Sequence, residues 1–244
     1  VKRSRPTVDP ANLFKTRDPL ARLSVFIEVL QDLGPHNIQL VRTAFETLPS
    51  GTARNQEMQL FFHAWAKFAP EDAIRYAQTL EKSETHYATR TALASWAGYD
   101  APFAMKWIDK HPDANRRGEY QVGIIQGVAT FDPARATDLL YDMTTTNYRF
   151  QAASILVKYY VEEDMETAMA WARNLPGGDQ QIKETILSQV ASEVAQKAPE
   201  RCAEWALTME EGEGRKRVIS AVINYWSRSS HKDTATWVKK LPEG

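Results

Sequence analysis

Cysteine is nearly absent from the 244-residue sequence, and because Cys202 is the only copy, an internal disulfide is excluded. No apolar run reaches roughly 18 residues, so we expect no helix that crosses a bilayer. Basic and acidic side chains number 30 and 31, which gives a formal net charge of −1. Binding to duplex DNA or to anionic lipid usually depends on a surplus of Lys and Arg, so this balance argues against both partners.

The sequence also lacks the local motifs that carry named chemistry. Its 11 glycines are too few for a phosphate-cradling loop, and it contains no Gly-x-Ser-x-Gly elbow and no Walker motif. No two of the 5 histidines stand four residues apart, which is the spacing of a helical zinc site. We therefore expect a protein that is not an enzyme and that holds no metal or cofactor.

The composition that is present, 43% hydrophobic and 25% charged, is that of an ordinary soluble globular protein. The sequence starts with Val1 rather than Met, as expected if a leader was removed or if the chain is an excised piece. An exported and a cytoplasmic location are therefore both open, and the sequence predicts neither.

Two columns of bulky residues recur along the chain at the same irregular interval. The first column consists of Trp65, Trp96, Val128, Tyr160, Val194 and Trp226. The second column consists of Tyr76, Trp107, Leu139, Trp171, Trp205 and Trp237. In both columns the successive steps are 31, 32, 32, 34 and 32 residues. Two columns that share these steps indicate a structural repeat of about 32 residues.

Each repeat has the pattern of a helical hairpin. Upstream of the first column, apolar residues fall three or four positions apart, as Val218, Val222 and Trp226 do, and this spacing predicts a first helix. The pair Asp132 and Pro133 then provides an N-cap and a proline suited to the first turn of a second helix. Leu-Pro pairs follow the second column and end that helix, because proline cannot continue it.

One hairpin cannot bury both of its apolar faces, whereas stacked hairpins can. We therefore predict an all-α fold, a superhelical α/α solenoid of about seven helix-turn-helix repeats. Residues 1–19 are predicted to form a partly irregular N-terminal arm, and residues 20–244 the solenoid. The predicted repeats start near residues 22, 54, 85, 117, 149, 183 and 215. Residues 241–244 stop where another repeat would begin, so we expect the natural protein to continue.

In its period and hairpin layout, the region from about residue 20 to residue 244 resembles tetratricopeptide-like and HEAT-like α-solenoid repeats. It departs from the tetratricopeptide pattern, because the first helix ends in Trp-Ala and the second reads Ala-x-x-Trp-x-x-x-Leu-Pro, as from Ala168 to Pro176. The resemblance implies a scaffold or a peptide-binding groove, although a shared fold does not fix a function.

A basic residue stands eleven positions before the first column in most repeats. These residues are Arg54, Arg117, Arg149, Lys183 and Arg215. Such a cation is expected near the C-terminal end of the preceding hairpin, where free carbonyl groups accept hydrogen bonds, so it would hold consecutive repeats together. The alternative is a row of cations that binds an anionic partner.

The columns also bear on the tryptophans and on Cys202, which takes the place of a recurring small residue. We expect these side chains to pack in the core. The alternatives are that the tryptophans stack on sugars or bases and that Cys202 acts as a nucleophile.

The exposed positions of the two helices differ in character. The second helices carry mostly charged residues, whereas the first helices show a mostly neutral polar stripe two residues before the first column. We therefore predict that the first helices line the concave side of the solenoid and that a protein or peptide binds there in extended form. The predicted binding residues are His63, Gln126, Lys158, Tyr159, Ser192, Asn224 and Tyr225.

Two alternatives to a protein-interaction scaffold stay open. A helical repeat can bind nucleic acid, in which case the basic column would contact phosphates, although the net charge argues against this partner. The chain can also be an accessory helical region of a larger enzyme, with further repeats or domains beyond Gly244.

Overall fold

The computed structural model describes residues 18–48, 51–110, 114–144, 146–176 and 178–241. Within these residues all regular secondary structure is helical, with thirteen helices and no strand. The prediction of an all-α fold is therefore confirmed. The chain divides into two compact units, residues 1–131 (unit 1) and residues 132–244 (unit 2).

In each unit, helices that are consecutive in the chain pack against one another. Unit 1 contains α1 (Pro19–Gln31), α2 (Ile38–Glu46), α3 (Thr52–Ala66), α4 (Pro70–Ala77), α5 (Lys82–Lys110) and α6 (Ala114–Ala129). Unit 2 contains α7 (Pro133–Tyr141), α8 (Thr146–Glu163), α9 (Met165–Arg173), α10 (Gln180–Lys197), α11 (Pro199–Thr208), α12 (Glu213–Ser229) and α13 (His231–Val238). Long helices pack on the long helices before and after them, as α3 does on α1 and α5, and α10 on α8 and α12.

Two predicted features fall largely on residues that are not described. Residues 1–17, most of the predicted N-terminal arm, lie outside the described part of the chain, as do residues 242–244 at the end where we expect a further repeat. The first described helix begins at Pro19, and its N-cap is Asp18, whose Oδ1 accepts a hydrogen bond from the Leu20 N–H at 3.0 Å.

Long and short helices alternate because N-cap residues and prolines end one helix and begin a new, short one. In unit 2, Asp164 is the N-cap of α9, and its carboxylate accepts from the Thr167 N–H at 2.7 Å. Asp132 does the same for α7, with Pro133 at the first helical position. In unit 1, α5 runs for 29 residues but breaks at Asp100, where φ is −148° and ψ is 66°. This break makes its last ten residues the counterpart of a short helix.

Residues of the two bulky columns meet where a long helix packs against the short helical segment that follows it. Ring centroids lie 5.4 Å apart for Trp65 and Tyr76, and 4.2 Å apart for Tyr160 and Trp171. The pairs Trp96 with Trp107 and Trp226 with Trp237 have the same placement at 6.1 and 6.2 Å. Trp65, Trp96 and Trp226 are buried, so their predicted packing role is confirmed. Each aromatic pair contributes about 0.5–1.5 kcal/mol beyond its buried area.

In unit 1, helices α5 and α6 approach each other closely because glycine stands at the contact. A Cβ placed on Gly127 would lie 2.1 Å from the carbonyl oxygen of Ala94, and one placed on Gly123 would lie 3.0 Å from the carbonyl oxygen of Arg90. These two glycines stand one helical turn apart, so they form a smooth strip that faces α5. The approach of α5 to α6 therefore depends on the missing side chains.

Cys202 packs in the interior of unit 2. Its side chain is fully buried, and its Sγ donates to the carbonyl oxygen of Ala191 at 3.5 Å. Burial raises the pKa of this thiol to about 12, so the thiolate is disfavoured. The predicted packing role is confirmed. Among the described helices, none has the length and apolar character that a bilayer crossing requires.

Candidate binding grooves

A groove of about 560 Å³ opens on unit 1 between three long helices, and we name it groove 1. Helix α3 contributes Gln59, Leu60 and His63, with Lys67 directly after it; α5 contributes Thr91, Ala94, Ser95, Gly98 and Tyr99; and α6 contributes Gln126 and Gly127, with Thr130 directly after it. The close packing at Gly127 sets the floor of this groove, because Ala94 and Gly127 both line it.

One wall of groove 1 is fixed by hydroxyl groups that cap the end of α3. The Ser95 Oγ donates to the carbonyl oxygen of His63 at 2.7 Å, and the Tyr99 Oη donates to the carbonyl oxygen of Ala66 at 2.6 Å. Both carbonyl groups lie in the last turn of α3, where no intrahelical N–H is left to bond them. The sequence of α5 thus completes the hydrogen bonding of α3 and holds the two helices in register.

Two glutamine side chains that line groove 1, Gln59 and Gln126, have unused hydrogen-bonding groups. The Tyr87 Oη donates to the Gln59 Oε1 at 2.9 Å, which orients this amide. Within the described part of the chain, no hydrogen bond engages the Gln59 N–H groups or the Gln126 side chain. An amide that is held in place but not saturated can exchange hydrogen bonds with an extended peptide backbone.

The electrostatic character of groove 1 is cationic. Lys67 is the one permanently charged side chain among the described residues that line it. Partial burial and the charge of Lys67 lower the pKa of His63 below its ordinary value of 6.5, so this imidazole is mostly neutral at pH 7.

A second groove of about 370 Å³ lies on unit 2 between α8 and α10, and we name it groove 2. Helix α8 contributes Ser154, Val157, Lys158, Val161 and Glu162, and α10 contributes Ser188, Gln189, Ser192, Glu193 and Lys197. Its charges are paired within each helix, Lys158 with Glu162 at 3.7 Å and Lys197 with Glu193 at 4.0 Å.

Groove 2 also contains a buried polar atom that has no hydrogen-bond partner among the described residues. The Gln189 Nε2 donates to the Ser154 Oγ at 3.0 Å, and this bond holds the amide across the two helices. The Gln189 Oε1 is buried and accepts no hydrogen bond in the described part of the chain. A buried acceptor without a donor costs about 1–3 kcal/mol, and a ligand N–H or a water would relieve that cost.

The structure brings together some of the predicted binding residues. His63 and Gln126 share groove 1, and Lys158 and Ser192 share groove 2. Tyr159, Asn224 and Tyr225 are not among the described residues that line either groove. Tyr159 packs edge-on against Tyr160, and Asn224 accepts a hydrogen bond from Arg228 at 3.1 Å. Tyr225 lies beside that same guanidinium, with its ring centroid 5.5 Å from the Arg228 Cζ.

The basic column is engaged inside each unit. Arg54 is buried, donates to the carbonyl oxygens of Phe45 and Leu48 at 2.9 and 2.8 Å, and pairs with Glu84 at 2.6 Å. In unit 2, Lys183 donates to the carbonyl oxygen of Leu175 at 3.4 Å. Both cations bond carbonyl groups at or just after the end of the preceding short helix. These are the contacts that the sequence predicted for a cation that holds consecutive repeats together.

The remaining members of the basic column pair with carboxylates. Arg117 bonds Asp109 at 2.6 Å, Arg149 bonds Asp179 at 2.5 Å, and Arg215 lies 3.9 Å from Glu211. In each case the cation is compensated within its own unit, which leaves little charge for an anionic partner.

A third concavity, of about 700 Å³, lies between α2 and α4 of unit 1, and sequence reasoning missed it. The Tyr76 Oη donates to Glu46 at 3.0 Å, while the Arg42 guanidinium lies over the Tyr76 ring at 5.2 Å. Burial and Glu46 raise the pKa of Tyr76. Arg42 and Glu46 stand four residues apart on the face of α2 toward Tyr76, and this pair was the one signal that could have revealed the pocket.

No group of three or more His, Cys, Asp or Glu side chains that could hold a metal ion occurs among the described residues. No family model matches this chain, and neither the comparison with curated proteins nor the comparison with solved structures gives a match.

Proposed function

We propose that this chain is a non-catalytic protein-interaction module that binds a peptide or an extended protein segment along its long helices. In this proposal the hairpins stack as an α/α solenoid of about seven repeats, similar in plan to tetratricopeptide and HEAT repeats. The long first helix of each hairpin lines the binding face, and the short second helix lies on the outside.

The observation that carries the proposal is that each unit has a polar groove walled by long helices. Groove 1 and groove 2 both contain residues of the stripe that precedes the first column, and both contain an oriented glutamine, Gln59 or Gln189. An extended peptide needs donors and acceptors along its backbone, and fixed amides supply both at a low entropy cost.

Nucleic acid is the weaker candidate on the same observations. A strand would need cations along its path, but the basic column is engaged by carbonyl groups and carboxylates. Groove 2 also contains Glu162 and Glu193, which would repel phosphate groups.

The test is a selection of short random peptides, displayed on phage, against the immobilised chain. We expect enriched peptides, and we expect their binding to weaken about tenfold, or about 1.4 kcal/mol, in a groove variant. The groove 1 variant combines Gln59→Ala with Gln126→Ala, and the groove 2 variant combines Lys158→Ala with Ser192→Ala. Binding is measured by fluorescence anisotropy with the selected peptides.

The matched control is Lys106→Ala, which truncates an exposed side chain of α5 that lines neither groove. This control should bind the selected peptides like the parent chain. The proposal fails if no peptide is enriched above the level on blank beads, or if the groove variants and the control bind equally well.

A further inference from the structure

Lys67, a cation in groove 1, has no counter-ion among the described residues. It follows the last residue of α3, its side chain is exposed to the groove, and no described carboxylate lies within ion-pair distance of its ammonium group. The lysines of groove 2 differ, because Lys158 and Lys197 each have a glutamate one helical turn away.

The usual reason for a lysine at the end of a helix is to neutralise free carbonyl groups there. At the end of α3 that work is done by neutral hydroxyls, since Ser95 bonds the His63 carbonyl and Tyr99 bonds the Ala66 carbonyl. The positive charge of Lys67 is therefore left to act on whatever enters the groove.

We propose that groove 1 binds an extended peptide through an acidic side chain, with the carboxylate held by Lys67 and the flanking peptide backbone bonded by Gln59 and Gln126. This inference rests on the proposed function and specifies which peptides groove 1 prefers. One cation matches one carboxylate, whereas a nucleic-acid strand carries a phosphate on every nucleotide and needs a row of cations. A charge-assisted hydrogen bond between ammonium and carboxylate is about twice as strong as a neutral one.

His63 offers an internal reporter of the same event. The titratable groups that line groove 1 with it are Lys67 beside α3 and Tyr99 on α5, and the described lining residues of α6 contain none. Its pKa is lowered by partial burial and by Lys67. A carboxylate that pairs with Lys67 offsets that repulsion, so the pKa of His63 should rise when an acidic peptide binds.

The experiment compares two pools of short peptides on the intact chain. In one pool a central Glu is flanked by mixed neutral residues, and in the other a central Gln replaces it. We expect the Glu pool to bind about five- to tenfold more tightly than the Gln pool at low salt, and this preference to shrink as salt is added. The imidazole resonances of His63, followed by NMR, should titrate at higher pH with the Glu pool and not with the Gln pool.

Three further arms decide between the explanations. Lys67→Gln should abolish the preference for Glu, and Lys106→Gln, which removes an exposed charge from the same unit, should retain it.

Equal binding of the two pools to the parent chain would overturn the inference and leave the proposed function intact. Failure of both pools, together with failure of the random-peptide selection, would reject the proposed function itself. A Lys67-dependent affinity for single-stranded oligonucleotide that exceeds the affinity for the Glu pool would overturn the inference in favour of phosphate.

Discussion

The grooves of the two units are built from the same kind of helix but differ in how their charges are balanced. Groove 1 of unit 1 has Lys67 with no described carboxylate beside it, and its wall is closed by hydroxyl groups. Groove 2 of unit 2 has two lysines, each paired with a glutamate on its own helix. One sequence pattern can therefore give two grooves whose charges are balanced differently, because the positions between the repeating columns are free to vary.

The two units also differ in how deeply they bury the ion pairs that connect their helices. Arg54 and Glu84 in unit 1 are both buried, with side-chain exposures of 9% each. Arg149 and Asp179 in unit 2 form the corresponding pair, also thirty residues apart, but their side chains are 16% and 28% exposed. A pair that is removed from water becomes costly to break, whereas a pair at the surface can be replaced by solvent.

The largest effect is expected from Arg54→Ala. The substitution leaves Glu84 buried without its partner and takes two donors from the carbonyl groups of Phe45 and Leu48. We expect the free energy of unfolding to fall by about 3–5 kcal/mol. Arg149→Ala should cost only about 1 kcal/mol, because Asp179 keeps the N–H of Ile182 and has access to solvent. Urea denaturation of both variants measures the difference.

A double variant, Arg54→Met with Glu84→Leu, tests the reason for this cost. It removes both charges and fills their space with apolar groups, so it should regain much of the lost stability. Equal losses for Arg54→Ala and Arg149→Ala would show that burial does not distinguish the two pairs.

Gly127→Ala is expected to have the next largest effect. The added methyl group would lie 2.1 Å from the carbonyl oxygen of Ala94, which is backbone and cannot rotate away, so α5 and α6 must separate. We expect a loss of about 2–3 kcal/mol in the free energy of unfolding and a change in the shape of groove 1. In unit 2 the residue thirty-two positions later is Tyr159, so glycine does not recur at this position of the sequence repeat.

Gly98→Ala is the matched control, since Gly98 lines the same groove and lies in a helix. Its new methyl group would find the nearest atom at 4.0 Å, the carbonyl oxygen of Gly127. Alanine favours the helix over glycine by about 1 kcal/mol, so this variant should be as stable as the parent or slightly more stable. If Gly98→Ala and Gly127→Ala unfold at the same urea concentration, the close approach does not limit stability.

The two columns were sufficient to predict the helical fold. Their residues occupy core positions, where one bulky ring such as Trp65 packs against another such as Tyr76, and core positions recur with the repeat. They also placed His63 with Gln126, since both stand two residues before the first column. The carbonyl contact of Arg54 followed from its offset in the repeat.

The sequence could not reveal the features that set one repeat apart from the next. At the end of α3 the carbonyl groups of His63 and Ala66 are bonded by the hydroxyl groups of Ser95 and Tyr99, which lie about one repeat away in the chain. Asn224 was predicted from the stripe and Tyr225 from its place beside it, but Arg228 on the same helix contacts both.

Releasing a lysine in groove 2 should make it more like groove 1. Glu162→Gln removes the carboxylate 3.7 Å from Lys158 and keeps the size of the side chain. We expect this variant to exceed the parent's preference for an acidic peptide pool over a neutral one by about two- to threefold, measured by anisotropy, because an exposed pair holds the lysine by less than about 1 kcal/mol. Glu200→Gln, at an exposed position in the first turn of α11, is the control. A parent-like preference in Glu162→Gln would show that the pairing of Lys158 does not govern groove 2.

The smallest effect concerns the acid stability of unit 2. A hydrogen bond from the Ile182 N–H and the pairing with Arg149 lower the pKa of Asp179 below its ordinary value of 3.8. A carboxyl group whose pKa is lower in the folded state stabilises the fold above the unfolded value, and this stability is lost as the pH falls through the folded value. Asp179→Asn keeps an N-cap side chain but loses the charge. The variant should therefore melt slightly below the parent near pH 6 and at the same temperature at a pH below the folded pKa, as followed by circular dichroism. If the two melting temperatures differ by the same amount in strong acid as near pH 6, the charge of Asp179 does not account for the difference in stability.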